Sequence, residues 1–179
     1  GTNSTSIRAS VNFRDIDGVL NGTGFQNLNT RINISQKALD NKLTINAQVA
    51  TNQRASKFGF NEAFRYSTVY NPTAPIRSAE PGFTQYGGYY QETRFDFLNP
   101  VAILEQNRNE GEYSRLNVSI GANYAITDNL VFNVDYSNQT ENELLGRYFS
   151  KQSLFVGLGR NGLAERDQRR RYFDLLESY

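Results

Sequence analysis

The feature that most constrains this chain is a period of two in hydropathy, held over stretches longer than an ordinary five- or six-residue strand. Ile7, Ala9, Val11 and Phe13 share one side of a first stretch, with Arg8, Ser10, Asn12 and Arg14 opposite. A second sets Leu28, Thr30, Ile32 and Ile34 against Asn27, Asn29, Arg31, Asn33 and Ser35, and a third sets Leu43, Ile45, Ala47 and Val49 against Thr44, Asn46, Gln48 and Ala50. The fourth is the clearest: Leu116, Val118, Ile120, Ala122, Tyr124 and Ile126 alternate with Arg115, Asn117, Ser119, Gly121 and Asn123. In the fifth, Leu130, Phe132, Val134 and Tyr136 face away from Asn133, Asp135 and Ser137. A weaker sixth strand is expected from Arg171 to Tyr179, although the AERDQRRRYFDLLE stretch fits the start of a helix equally well. A strand places alternate side chains on opposite faces, so each stretch predicts a strand with one apolar and one polar face.

Alternation alone does not separate a soluble sandwich from a membrane barrel, since both turn one face toward an apolar medium. The connections carry more information. KALDN joins the second strand to the third and TDN the fourth to the fifth, both with turn chemistry. The other connections are long: DGVLNGTGF at 17–25, a large loop at 53–112, and a third from Thr140 to Ala164. Short and long connections therefore alternate, as short periplasmic turns and long external loops do in outer-membrane barrels.

Composition narrows the chemistry. The 179 residues include no Cys, no His and no Met, which leaves no thiolate, no imidazole base and neither of the commonest soft metal ligands. With 19 Lys and Arg against 18 Asp and Glu, the chain is not a globally basic nucleic-acid binder. No apolar run reaches the roughly 18 residues of a membrane helix. The expected fold class is all-β: about six antiparallel strands forming a segment of a large transmembrane β-barrel with long external loops. Six strands are too few to close such a barrel, so residues 1–179 are expected to be a partial barrel domain.

Several motifs, taken in order, resemble the barrel region of the SusC/RagA family of TonB-dependent outer-membrane transporters. In RDIDGVLNGTGFQNLNTRINIS, the matching positions are Arg14, Asp15, Gly18, Val19, Gly24, Phe25, Asn29, Arg31 and Asn33, and KALDNKLTINAQV follows. Inside the large loop, YNPTAPI (Tyr70–Ile76) and FLNPVAILEQ (Phe97–Gln106) resemble paired elements of the family's large external loop. The family's plug domain and TonB box have no counterpart in this sequence. The resemblance implies import of oligosaccharides or peptides at a Bacteroidetes-type outer membrane, without covalent chemistry and without a cofactor. It also implies a SusD-like surface lipoprotein on the external face, the TonB complex on the periplasmic side, and contact with outer-membrane lipid or lipopolysaccharide. Nucleic acid is not an expected partner.

Two groups of candidate site residues follow. Close to half of the aromatics fall in the large loop, and Tyr66, Tyr70, Tyr86, Tyr89, Tyr90 and Phe95 are the candidates for ligand or partner contact. Tyrosine offers a flat apolar face and a hydroxyl, but the same residues could equally pack the loop on itself and on the rim. Of these, Gly87–Tyr90 (GGYY) is expected at an exposed tip. On the polar faces, Arg31, Asn33, Asn46, Arg115, Asn117 and Asn123 would line a barrel lumen, either gripping a polar solute or bonding to a plug and water.

Other patterns lead less far. GLGRNG (Gly157–Gly162) has the spacing of a dinucleotide loop but no βαβ unit around it, so an external loop fits better. Arg166, Arg169, Arg170 and Arg171 could meet lipid A phosphates, but nearby acids also suit a solvated strand. The acid pairs Asp15/Asp17, Glu110/Glu112 and Glu141/Glu143 are placed at strand–loop boundaries, without the environment of a catalytic pair. An enzyme is not expected. Two other classes remain open: a soluble β-sandwich ligand-binding module with a long recognition loop, and a passive porin or secretion component.

Overall fold

The structure, a computed structural model, describes residues 4–92, 96–127 and 129–156 together with the backbone of 164–174. It is one six-stranded antiparallel sheet in sequential order, β1 (Thr5–Asp17), β2 (Gly24–Ala38), β3 (Leu43–Lys57), β4 (Asn107–Thr127), β5 (Leu130–Phe149) and β6 (Ala164–Asp174). The all-β expectation therefore holds, as a simple meander. Among the described residues no helix is long and apolar enough to cross a membrane.

The two short turns fall where turn chemistry places them. Leu39, Asp40 and Asn41 all take positive φ (52°, 54° and 68°), reversing the chain between β2 and β3. Asp and Asn tolerate this conformation; Leu39 is held there by the hydrogen bond from the Lys42 amide to its carbonyl (3.0 Å). At the other turn the ladder slips one residue between Ala125 and Thr127 before β5 begins.

The strands run further toward the long loops than alternation suggests. The ladder continues through Lys57 and starts again at Asn107, so the large loop is 58–106 and not 53–112. Likewise β5 reaches Phe149, and β6 covers Ala164–Asp174 where Arg171–Tyr179 was expected. The reason is physical. QRASK on β3 and NRNEGEYS on β4 are polar on both faces, and pairing with neighbouring strands, which no hydropathy period records, extends the ladder there.

Register sorts the side chains into two faces. One row across the sheet is Ile7, Ile34, Ala47, Ile120 and Tyr136; the row one step further toward the loops begins at Arg8 on the opposite face and continues through Asn33, Gln48, Ser119 and Ser137. No second sheet covers the apolar face among the described residues. Val11 is 72% exposed, Phe13 60%, Ile120 50% and Tyr136 56%. The buried core lies elsewhere, in Phe60, Ala63, Tyr66, Ile103 and Phe149 at the loop end of the sheet, with Leu98, Leu104 and Phe155 packed against it.

The large loop is itself folded. It carries α1 (Glu62–Val69), a 3-10 turn over Pro81–Tyr86, and α2 (Pro100–Gln106). Its core sits on the polar side of the sheet: Phe149 and Asn107 pair directly and are both buried, and Phe58 lies over Gly111. A Cβ on Gly111 would stand 2.7 Å from the Phe58 ring and 2.9 Å from Leu145, so any larger residue here would push one of these side chains aside. Phe60, Phe149 and Phe155 close the core with ring centroids 5.4–6.4 Å apart, joining the β3–β4 loop to the β5–β6 loop.

Candidate functional site

Asn99 organises the loop. Followed by Pro100, it is the N-cap of α2, and its side-chain carbonyl accepts from the Val101 amide (3.1 Å) and the Ala102 amide (3.3 Å). Its side-chain amide donates to the carbonyls of Ile76 (2.9 Å) and Tyr90 (3.0 Å), and its backbone amide donates to Gln91 Oε1 (3.1 Å). Asn99 is 1% exposed and Gln91 5%. The YNPTAPI and FLNPVAILEQ motifs, separated in sequence, thus meet at one buried amide.

The tyrosines are mostly built into this framework. Tyr66 is buried in the core, and its hydroxyl donates to Asp96 Oδ1 (2.6 Å), which also pairs with Arg65. That hydrogen bond, with the neighbouring Arg65 guanidinium, holds the Asp96 carboxyl below its ordinary range; the same hydrogen bond and burial raise the Tyr66 phenol, against the opposing pull of Arg65. Tyr70 is half-buried and donates to the Tyr90 carbonyl (3.2 Å). Tyr90 stacks on Phe83 with centroids 5.0 Å apart, and the carbonyl of half-buried Tyr86 accepts from Gln106 (2.8 Å).

Tyr89 corrects the expectation of an exposed GGYY tip. It is 5% exposed, bonded to Glu105 and covered by the Arg77 guanidinium 4.1 Å from its ring centroid, while Arg77 pairs with Glu105 at 2.9 Å. Backbone hydrogen bonds from Ser78 to Gly88 (2.9 Å) and Tyr90 to Ile76 (3.1 Å) fold this segment back as a small hairpin. The outermost stretch runs instead through Asn71–Gly82, which is exposed almost throughout. Phe95 lies outside the described residues, as does GLGRNG; of the Arg166–Arg171 cluster only the β6 backbone is described.

Burial pushes the Tyr70 and Tyr89 phenols up to about 12, aided by the Glu92 carboxylate at Tyr70 and the Glu105 hydrogen bond at Tyr89. A phenol whose folded value exceeds its unfolded value favours the fold below the unfolded value of about 10, and loses that advantage as pH rises toward 12. Amide exchange across 70–91 is therefore expected to accelerate between pH 10 and 12 while the β2–β3 hairpin stays protected, and Tyr89→Phe should flatten that dependence. Exchange that accelerates equally in both regions would contradict this.

The second candidate group lies on the polar sheet face, and register puts Arg31, Asn33, Asn46, Arg115, Asn117 and Asn123 on that same face. Arg115 pairs with Glu141 (2.6 Å), which also accepts from Gln139 Nε2 (2.8 Å); Gln139 in turn accepts from Asn117 (3.4 Å). Asn52 donates to Asn27 (2.8 Å) and Asn29 (2.5 Å), a second amide cluster beside the first.

Glu141 also corrects the placement of its acid pair at a strand–loop boundary: it stands well inside β5 and is buried to 9% exposure. Glu110 and Glu112 are likewise within β4, on the opposite face with Asp15 and Asp17. Sequence reasoning missed Asn99, Arg77, Glu105 and Glu141 as structural partners. The Asn-Pro opening of α2 was the one legible signal among them, since an N-cap Asn followed by Pro marks a helix start.

No protein-family model matches the chain, and no curated protein matches its sequence.

Proposed function

We propose that this chain is a barrel segment of a TonB-dependent outer-membrane transporter of the SusC/RagA type, importing oligosaccharides or peptides with a SusD-like surface lipoprotein. The observation that carries the reading is the geometry of the uncovered apolar band. On β1 the band ends at Phe13, which is in register with Leu28, Gln53, Ser114 and finally Asn142 on β5. On β5 itself, however, the unbroken apolar run stops at Tyr136, with Asn138, Thr140 and Asn142 separating it from Leu144; this is about six residues lower than Asn142 across four strand-to-strand steps. From β1 to β5 that slip averages about 5 Å per strand, close to the roughly 4.8 Å strand spacing. The band is level only if the strands tilt by about 45°, the tilt of transmembrane barrels.

Band height supports the same reading. Leu116 to Ile126 on β4 spans the roughly 9–11 residues that carry a tilted strand across a bilayer. Above it the same face turns polar at Asp15, Gln26, Gln53 and Ser114. The opposite face would then line the lumen, and the loop core on that side would narrow the outer mouth.

The reading is tested by locating the native polypeptide and mapping its peptides. These residues should be found in the outer-membrane fraction, inside a polypeptide much larger than their own 20.3 kDa, together with a plug domain and a co-purifying lipoprotein. Deleting the gene should abolish uptake of one oligosaccharide or peptide class. A soluble polypeptide near 20 kDa would overturn it, and a large barrel with no plug would point to a passive pore.

A further inference from the structure

The acids of β1–β4 are confined to one face. Arg8, Arg14, Arg31, Lys37, Arg54 and Arg115 project from the polar face of these strands, while every carboxylate, Asp15, Asp17, Glu110 and Glu112, belongs to the opposite face near its loop end, accompanied there by Lys57 and Arg108. Within β1–β5, acids on the polar face occur on β5 alone, where Glu141 neutralises Arg115. Arg54 is occupied by the Phe25 ring, 4.1 Å from its centroid, and by Ser56. Arg8, Arg14 and Arg31 pair with no carboxylate among the described residues. From β2 to β5 is three strand spacings, about 14 Å, beyond the screening length of about 8 Å at physiological salt.

Arg31 also has room beside it. Its neighbours in register are Ser10 and Ala50, the smallest side chains in that row, and they leave a hollow rimmed by Asn29, Asn52 and Asn117. A guanidinium offers two parallel N–H donors to a carboxylate, and side-chain amides can reach its remaining lone pairs. We infer that this hollow is a carboxylate subsite, so that the cargo is an acidic oligomer and not a neutral one. The inference rests on the polar face being the lumen. Carboxylates of uronic-acid sugars and of acidic peptides present the same chemistry, and the test separates them.

The sequence has no cysteine, so Ala50→Cys and Val49→Cys report one thiol on each face of this segment. The full-length protein in its native membrane, with any cysteines elsewhere replaced, is treated with an anionic (sulfonatoethyl) or a cationic (trimethylammonioethyl) methanethiosulfonate. At Ala50→Cys the anionic reagent should react about tenfold faster than the cationic one, relative to free cysteine. The preference should shrink in 1 M salt and collapse in Arg31→Gln, while Arg31→Lys should retain it. Oligogalacturonate or hexaglutamate should slow modification, and whichever does so names the source; fully methyl-esterified oligogalacturonate and hexaglutamine should not. Equal rates with the two reagents, or equal protection by neutral and acidic oligomers, would overturn the inference while leaving the barrel intact. Val49→Cys should react with neither reagent. If it reacts as fast as Ala50→Cys, the face assignment fails and the inference falls with it.

Discussion

With lipid on the apolar face, as proposed, Ile120→Arg should destabilise the protein by about 2–4 kcal/mol and cut the yield of folded protein, whereas the adjacent Ser119→Arg should be tolerated. Ile120 lies in the middle of the uncovered band, between Ala47 and Tyr136 in register, and a charge at the bilayer midplane carries a penalty of that size. Ser119 projects to the polar face, where a guanidinium stays hydrated. A soluble sheet predicts otherwise: at 50% exposure, Ile120→Arg would fall within the usual surface range of about ±0.5 kcal/mol. Heat-modifiable migration and urea unfolding of the two variants measure the difference. Equal stabilities would mean that no lipid covers this face.

Asn99→Ala should cost the large loop about 2–4 kcal/mol and leave the sheet as stable as before. One share is the helix cap, worth about 1 kcal/mol, lost when the Val101 and Ala102 amides have no acceptor. The rest comes from the second hydrogen bond lost at each of the Ile76 and Tyr90 carbonyls, worth about 0.5–1.5 kcal/mol apiece, since Ile76 keeps the Tyr90 amide and Tyr90 keeps the Tyr70 hydroxyl. Asn99→Ser separates the two shares, because its hydroxyl still caps α2 but is too short to reach either carbonyl. Limited proteolysis within Asn71–Gly82 should be fastest in Asn99→Ala and intermediate in Asn99→Ser, with amide protection of the strands unchanged throughout. Unchanged cleavage would show that the two loop motifs are held together by other contacts.

The strands were readable because each has one apolar and one polar face, and Leu116–Ile126 reports this at every second residue. Their loop-proximal extensions were not, because Gln53–Lys57 and Asn107–Ser114 are polar on both sides and a ladder between neighbours leaves no mark on hydropathy. The lumen candidates were legible for the same reason as the strands: Arg31 and Asn117 follow from parity alone. The tyrosines were harder. Composition cannot distinguish a ring presented to a ligand from one buried against Arg77 and Glu105, and Tyr89 proved to be the second kind. Glu141 escaped because its role depends on facing Arg115 across a strand pair. The stagger of the apolar runs escaped for a related reason: it emerges only when successive strands are laid on a common register.

The most direct measurement is spin-label accessibility along β3, with single cysteines placed from Leu43 to Lys57 in the full-length protein in its native membrane. Oxygen, which concentrates in lipid, should reach labels at Leu43, Ile45, Ala47 and Val49, while a water-soluble nickel chelate should reach Thr44, Asn46, Gln48 and Ala50. The oxygen signal should end near Gln53, where the band ends. Equal exposure of both sets to the chelate would show that the apolar face meets water, and would contradict the membrane-barrel account.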